Sequence, residues 1–305
     1  VTVGARFQSS LYVHKLLLIC LLVLLASCDQ AGRPELHGRL YFVSGNYVGE
    51  FDLAQGTSVA VANRGAVTIR DISAFDAGRL LLVETASVES RDVPRISWVN
   101  PDSGRAETLY SGVSARYLPE AAALVWDDGS RLHVTSRRAD ASINAQVVSH
   151  SLNQLSTIID VSDHMVLFEA GAPENRTIHS YDIETRELSH LATLSGVCRL
   201  AGAVWISSRE QLACQSRDRA ESGSDYLLVD LAGIVRGQLA LPKNKQFIAL
   251  AFAADQQTLV LTEHWTSLIG GADRYAVWAY NFIDGQSYRI VRNQYLGDSA
   301  VYVDE

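Results

Sequence analysis

The chain has 305 residues, 48% of them hydrophobic, with 26 Lys and Arg against 34 Asp and Glu, a formal net charge of −8. That balance excludes the basic stripe that nucleic-acid binding needs and the polybasic cluster that holds a protein to anionic lipid. The length allows one large β domain or two small ones.

The first element in chain order is apolar. Leu16 to Ala26 are eleven consecutive apolar or small residues. As a helix they measure about 16 Å, against a hydrocarbon core of about 30 Å. Arg6, His14 and Lys15 precede the run and small residues follow it, the layout of an export signal. Leu25-Ala26-Ser27-Cys28 resembles the lipobox of bacterial lipoproteins. That resemblance implies a diacylglycerol on the Cys28 thiol, cleavage between Ser27 and Cys28, and Cys28 as the new N-terminus. The alternatives are an ordinary signal peptide with an incidental cysteine, or an uncleaved anchor. A GTG codon read literally gives Val, and Val13, directly ahead of His14-Lys15, is the expected start in preference to Val1. Asp29 resembles an inner-membrane retention signal of enteric bacteria; inner and outer membrane both stay open.

The expected organisation is a signal peptide over 1–27, a short tether over 28–37 and a β domain over 38–305. Residues 1–27 carry Arg6 and Lys15 and no acid, so residues 28–305 hold a net charge of −10. Attachment to a bilayer must then come from the lipid, and two acyl chains anchor firmly where one binds reversibly. Cys20 leaves with the signal and Cys28 is acylated. Cys198 and Cys214 remain, either as a bridge in an oxidising compartment or as two buried thiols.

The rest reads as short alternating strands, with no amphipathic helix of three turns. Six segments share one plan of strand, polar turn, strand: 47–61, 95–110, 145–160, 177–194, 226–241 and 277–291. Aligned on Leu53, Asn100, Leu152, Ile183, Leu231 and Ile283, they recur at intervals of 47, 52, 31, 48 and 52. Four of the five approach the period of about 40–50 residues of a four-stranded propeller blade. A second unit of strand, tight turn, strand recurs at 125–136, 204–216 and 250–263. Trp126-Asp127-Asp128-Gly129 and Trp205-Ile206-Ser207-Ser208 there resemble the WD40-like repeat of TolB-type propellers. The match is partial, because the Pro is missing and the Gly occurs once.

The expectation is an all-β, six-bladed β-propeller, with seven blades as the alternative and a pair of β-sandwiches as the outside possibility. Blade 1 begins with only three strands, and the C-terminal strand 299–305 is expected to complete it, since closure removes open edges. The interval of 31 does not fit, and Leu155–Ser162 serves either as the last strand of the third blade or the first of the fourth. In this plan Cys198 and Cys214 fall on adjacent strands of the fifth blade.

Catalytic spacing is sparse. There is no G-x-S-x-G, no H-E-x-x-H, no C-x-x-C and no Gly-rich phosphate loop, and no catalytic, metal or cofactor residue is assigned. Arg70, Asp71, Arg116, Asp160 and Arg199 fall near channel-lining positions and form the candidate ligand-binding mouth; ordinary satisfied charges are the plainer reading. Glu263-His264-Trp265, at a strand end, is read as a polar loop with an aromatic. Trp98, Trp126, Trp205 and Trp278 are expected to pack between blades. Asn175-Arg176-Thr177 is a glycosylation sequon in pattern only. Two function classes follow. One is a membrane-held binding or scaffolding module of the cell envelope, with an envelope protein or cell-wall component as partner. The other is a propeller hydrolase, lactonase-like, with a channel metal on ligands drawn from Asp71, Glu84, Asp160 and Glu169.

Overall fold

The computed structural model describes residues 36–303, apart from 37, 120, 137–143, 149–155, 163, 171–176, 218–225, 244, 254–256, 267–272 and 295–298. The compact unit begins at Leu36. The expected signal, Cys28, Asp29 and most of the sequon lie outside the described residues.

Among the described residues, twenty-four strands form six four-stranded antiparallel sheets. Blade 1 contains β1 (Arg39–Ser44), β2 (Tyr47–Asp52) and β3 (Thr57–Asn63). Blade 2 contains β4 (Val67–Ala74), β5 (Leu80–Val88), β6 (Arg91–Val99) and β7 (Ala106–Ser111). Blade 3 contains β8 (Ser114–Leu118), β9 (Ala123–Asp127), β10 (Leu132–Ser136) and β11 (Asn144–Val148). Blade 4 contains β12 (Ser156–Ser162), β13 (Met165–Ala170), β14 (Thr177–Asp182) and β15 (Leu188–His190). A short helix, α1 (Ala192–Val197), leads into blade 5, which contains β16 (Cys198–Ile206), β17 (Gln211–Ser216), β18 (Tyr226–Asp230) and β19 (Val235–Gln238). Blade 6 contains β20 (Gln246–Phe252), β21 (Thr258–Thr266), β22 (Asp273–Asn281) and β23 (Gln286–Gln294).

The last strand, β24 (Ser299–Val303), pairs antiparallel with β1, from Arg39↔Val303 to Val43↔Ser299. It is the missing strand of blade 1. The innermost strands touch in a closed cycle, β24, β4, β8, β12, β16, β20 and back to β24. The fold is therefore a six-bladed β-propeller closed by its C-terminal strand. Six blades replace the seven-blade alternative.

Each pair of neighbouring blades encloses one apolar cluster, six in all. Alternation along a strand sends side chains to opposite faces. In β5, Leu80 and Leu82 pack toward blade 1 while Leu81 and Val83 pack toward blade 3. The middle strands are buried on both faces, so they read as continuous apolar runs. The four tryptophans Trp98, Trp126, Trp205 and Trp278 are buried in strands.

Two of the aligned segments do not match the strand order. Residues 145–160 are not one hairpin: 144–148 is the outermost strand of blade 3 and 156–162 the innermost of blade 4. The open assignment of Leu155–Ser162 thus resolves to the first strand of blade 4. Likewise 125–136 spans the second and third strands of its blade, whereas 204–216 and 250–263 span the first and second. The third strands end at Asp52, Val99, Ser136, Asp182, Asp230 and Asn281, spaced by 47, 37, 46, 48 and 51 residues.

Within each meander, the first-to-second and third-to-fourth connections lie at one end of the blade. The second-to-third connections and the crossovers between blades lie at the other. In blade 1 the chain enters at the first of these ends, where Leu36 packs with Leu53 of the β2–β3 turn and Ala253 of the β20–β21 connection.

Tyr302 is buried in the cluster between blades 6 and 1, with Leu40 and Phe51. Tyr302→Ala is expected to lower the stability of the whole ring by about 3 kcal/mol, read as a shift in the urea midpoint.

Candidate functional site

The channel wall is made by the innermost strands, and four of them carry a bulge: β4 between Ile69 and Asp71, β12 between Ile158 and Asp160, β16 between Arg199 and Val204, and β20 between Ala249 and Ala251. A bulge bends its strand and re-aims a side chain. Arg70 occupies the bulge of β4, unpaired in the ladder and exposed, with its Nε 3.5 Å from Thr85 Oγ1.

Asp71 and Arg116 are brought together across blades 2 and 3. Arg116 Nη1 donates to Asp71 Oδ2 at 2.6 Å and to the Ala115 carbonyl at 2.8 Å. Asp71 Oδ1 accepts from the Ile72 amide at 2.9 Å. Both side chains keep some solvent exposure, so the pair contributes at most about 1 kcal/mol. Arg199 is exposed near the start of β16. Asp160 lies on β12 opposite Leu167, and its side chain is outside the described residues. Of the five expected channel residues, the structure thus places all on innermost strands and joins two.

Two acidic side chains are sealed between blades. Glu84 of β5 is fully buried. It accepts from Arg64 Nε at 2.5 Å and Nη2 at 3.1 Å, from Arg95 Nε at 3.0 Å and from Ser97 Oγ at 2.9 Å. Burial works to raise its pKa, but Arg64, Ser97 and Arg95 overcome it and hold the carboxyl below its usual range. Glu84 is therefore not the axial metal ligand that the hydrolase reading needs. Glu263 of β21 is buried, paired with Lys245 Nζ, and accepts from Trp278 Nε1 at 2.8 Å. Its neighbour Trp265 packs against the cluster between blades 5 and 6. Glu263-His264-Trp265 is thus part of the blade packing. Sequence spacing gave no hint of either cation, since Arg64 and Lys245 lie on the crossovers just before β4 and β20.

Blade 3 has a different arrangement. Tyr110, reaching over from β7 of blade 2, stacks on Trp126 and Trp126 on His133, with centroids 4.2 and 4.7 Å apart, and His133 Nε2 lies 2.7 Å from Asp128 Oδ2. Burial works to raise the Asp128 pKa, and the contacts with His133, Ser130 and Arg131 overcome it and lower it. Asp127 beside it is fully buried. Its Oδ1 accepts from the Gly129 amide at 2.5 Å, while Oδ2 has no hydrogen-bond partner. Burial is the main cause that pushes its pKa up to about 6, and the Asp128 charge adds to it.

Cys198 and Cys214 form a disulfide between β16 and β17, with Cα atoms 5.7 Å apart. Among the described residues, no three His, Cys, Asp or Glu side chains converge as a metal site.

No family model and no curated protein matches the chain by sequence. Solved structures do match in shape. TolB from Acinetobacter baumannii is similar with a TM-score of 0.54 at 13% identity, covering 87% of this chain and 66% of its own. A protein of unknown function from Bacteroides caccae gives 0.55 at 11% identity, covering 88% of this chain and 100% of its own. An auxiliary nutrient binding protein from Bacteroides thetaiotaomicron gives 0.54 at 12%, covering 75% and 64%. The chain spans just under two thirds of the TolB and nutrient-binding chains. At these identities the likeness establishes the propeller fold alone.

Two predictions follow from these groups. An unfolded aspartate titrates near about 3.9, so between there and the folded pKa of about 6 native Asp127 keeps a proton that the unfolded chain releases. Stability then falls as pH rises through that window. Asp127→Asn should be more stable than the parent at pH 7 in urea denaturation, the advantage shrinking below about pH 4. Cys198→Ser with Cys214→Ser should cost about 3 kcal/mol, the value for a loop of this length, by the same assay.

Proposed function

We propose that the chain is an extracytoplasmic lipoprotein, fixed to a bacterial membrane through acylated Cys28, whose propeller serves as a protein-binding or scaffolding module of the cell envelope. The observation that carries this reading is Leu25-Ala26-Ser27-Cys28, placed at the end of an eleven-residue apolar run and eight residues ahead of Leu36, the first described side chain of the propeller core. The Cys198–Cys214 bridge fits an oxidising compartment. Asp29 favours the inner membrane by its resemblance to a retention signal. The partner is an envelope protein or a cell-wall component, met on the broad loop-bearing ends of the ring or at the channel mouth of Arg70, Asp71, Arg116, Asp160 and Arg199.

The hydrolase reading has less behind it. Two of the four carboxylates it would gather, Asp71 and Glu84, are held by Arg116 and by Arg64 with Arg95. A divalent ion retained by the purified protein would favour it.

Labelled palmitate should enter the parent chain and not Cys28→Ser, which should leave the membrane fraction. A tagged parent chain, crosslinked in intact envelopes, should recover a specific envelope component. Membrane release of the parent, or an empty pull-down with a tightly bound metal, would overturn the proposal.

A further inference from the structure

The anchor reading, combined with the place where the tether meets the ring, sets an orientation. Leu36 sits at the end of the blades that carries the first-to-second and third-to-fourth connections, packed with Leu53 and Ala253. Cys28 is eight residues upstream, a reach of at most about 28 Å. The opposite end lies a blade height away, about 20 Å for a six-residue strand such as β1. A tether running back over that height would have almost no length left to reach lipid.

The tether end also carries exposed apolar side chains. Ile283, at the β22–β23 turn of blade 6, is 76% exposed. Ile234, at the β18–β19 turn of blade 5, is 51% exposed, and Val235 follows it. Leu188 opens β15 of blade 4, and Val59 lies near the start of β3 of blade 1; both are exposed. These positions fall on blades 4, 5, 6 and 1, on both sides of the point where the tether enters between blades 6 and 1. The exposed large apolar residues toward the far end, Tyr47, Val88, Val93 and Ile248, sit on blades 1, 2 and 6, and each is 40–52% exposed.

We infer that this end of the wheel rests on the bilayer, with Ile234, Val235 and Ile283 touching the acyl boundary, and that the far end, with the long β5–β6 hairpin, points away from the membrane. The inference rests on the Cys28 anchor. A short tether makes the contact intramolecular, so side chains too few to bind lipid alone are held against it by effective concentration. The six crossovers, and with them Arg64 and Lys245, then lie on the side open to partners.

The test uses the lipidated full chain in phosphatidylcholine vesicles carrying nitroxide lipid. The bridged Cys198 and Cys214 and the acylated Cys28 leave an introduced cysteine as the labelling point. Fluorophores go on Ile283→Cys and Val93→Cys, both exposed positions. The 283 probe should be quenched several-fold more than the 93 probe. In Ile283→Cys carrying Ile234→Asp and Val235→Asp, quenching should fall to the 93 level while the protein still floats with the vesicles. Stronger quenching at 93, equal quenching at both, or no effect of the aspartates would overturn the orientation with the anchor intact. A parent chain that does not float would overturn the anchor itself, and this inference with it.

Discussion

The whole ring depends on one pairing, that of β24 with β1. Five residue pairs, Arg39↔Val303 through Val43↔Ser299, join the end of the propeller to its beginning. Through β24, blade 1 gains its innermost strand and with it contact to β4 on one side and β20 on the other. Each apolar cluster needs two blades, so six blades in a closed ring leave no blade face without a partner. An open ring would expose the face of blade 6 lined by Val260, Val277 and Ala279, together with the unpaired edge of β1.

Closure also explains how charge is tolerated between blades. A buried carboxylate is costly unless a cation and further donors surround it. In blades 2 and 6 the same solution recurs. An acid on the second strand, Glu84 or Glu263, meets a base from the crossover that enters that blade, Arg64 or Lys245. The crossover is fixed by the ring, so the base arrives preplaced. Blade 3 has no such base for Asp127 among the described contacts, and its carboxyl accordingly holds a proton to higher pH. Asp71 and Arg116 meet across innermost strands because β4 and β8 open successive blades and pack side by side.

Much of the fold was written in local pattern. Alternation marks the strands, and five of the six outer hairpins share a turn that is itself a repeat. Asp52, Asn100, Asp182, Asp230 and Asn281 each accept a backbone N–H from two to four residues ahead. Gly56, Gly104, Arg186, Gly233 and Gly285 then take positive φ. Asp and Asn form such turns with their own side chains, and glycine takes positive φ without strain. Blade 3 departs from this plan. Residues 137–143 join its third and fourth strands without the Asx-to-Gly spacing, and residues 145–160 mimic a hairpin across a blade boundary. The candidate channel was partly visible, since innermost strands can be counted. The joining of Asp71 to Arg116, and the cage around Glu84, were not. They follow from crossover geometry and from the β4 bulge at Arg70, which breaks the two-residue period.

Amide hydrogen exchange on the intact protein tests the closing pair most directly. The amides of β24 and of β1 should exchange as slowly as those of β5 and β21, because all belong to one cooperative ring. Exchange of β24 at the rate of unfolded chain, with β5 and β21 still protected, would contradict closure and the six-interface account built on it.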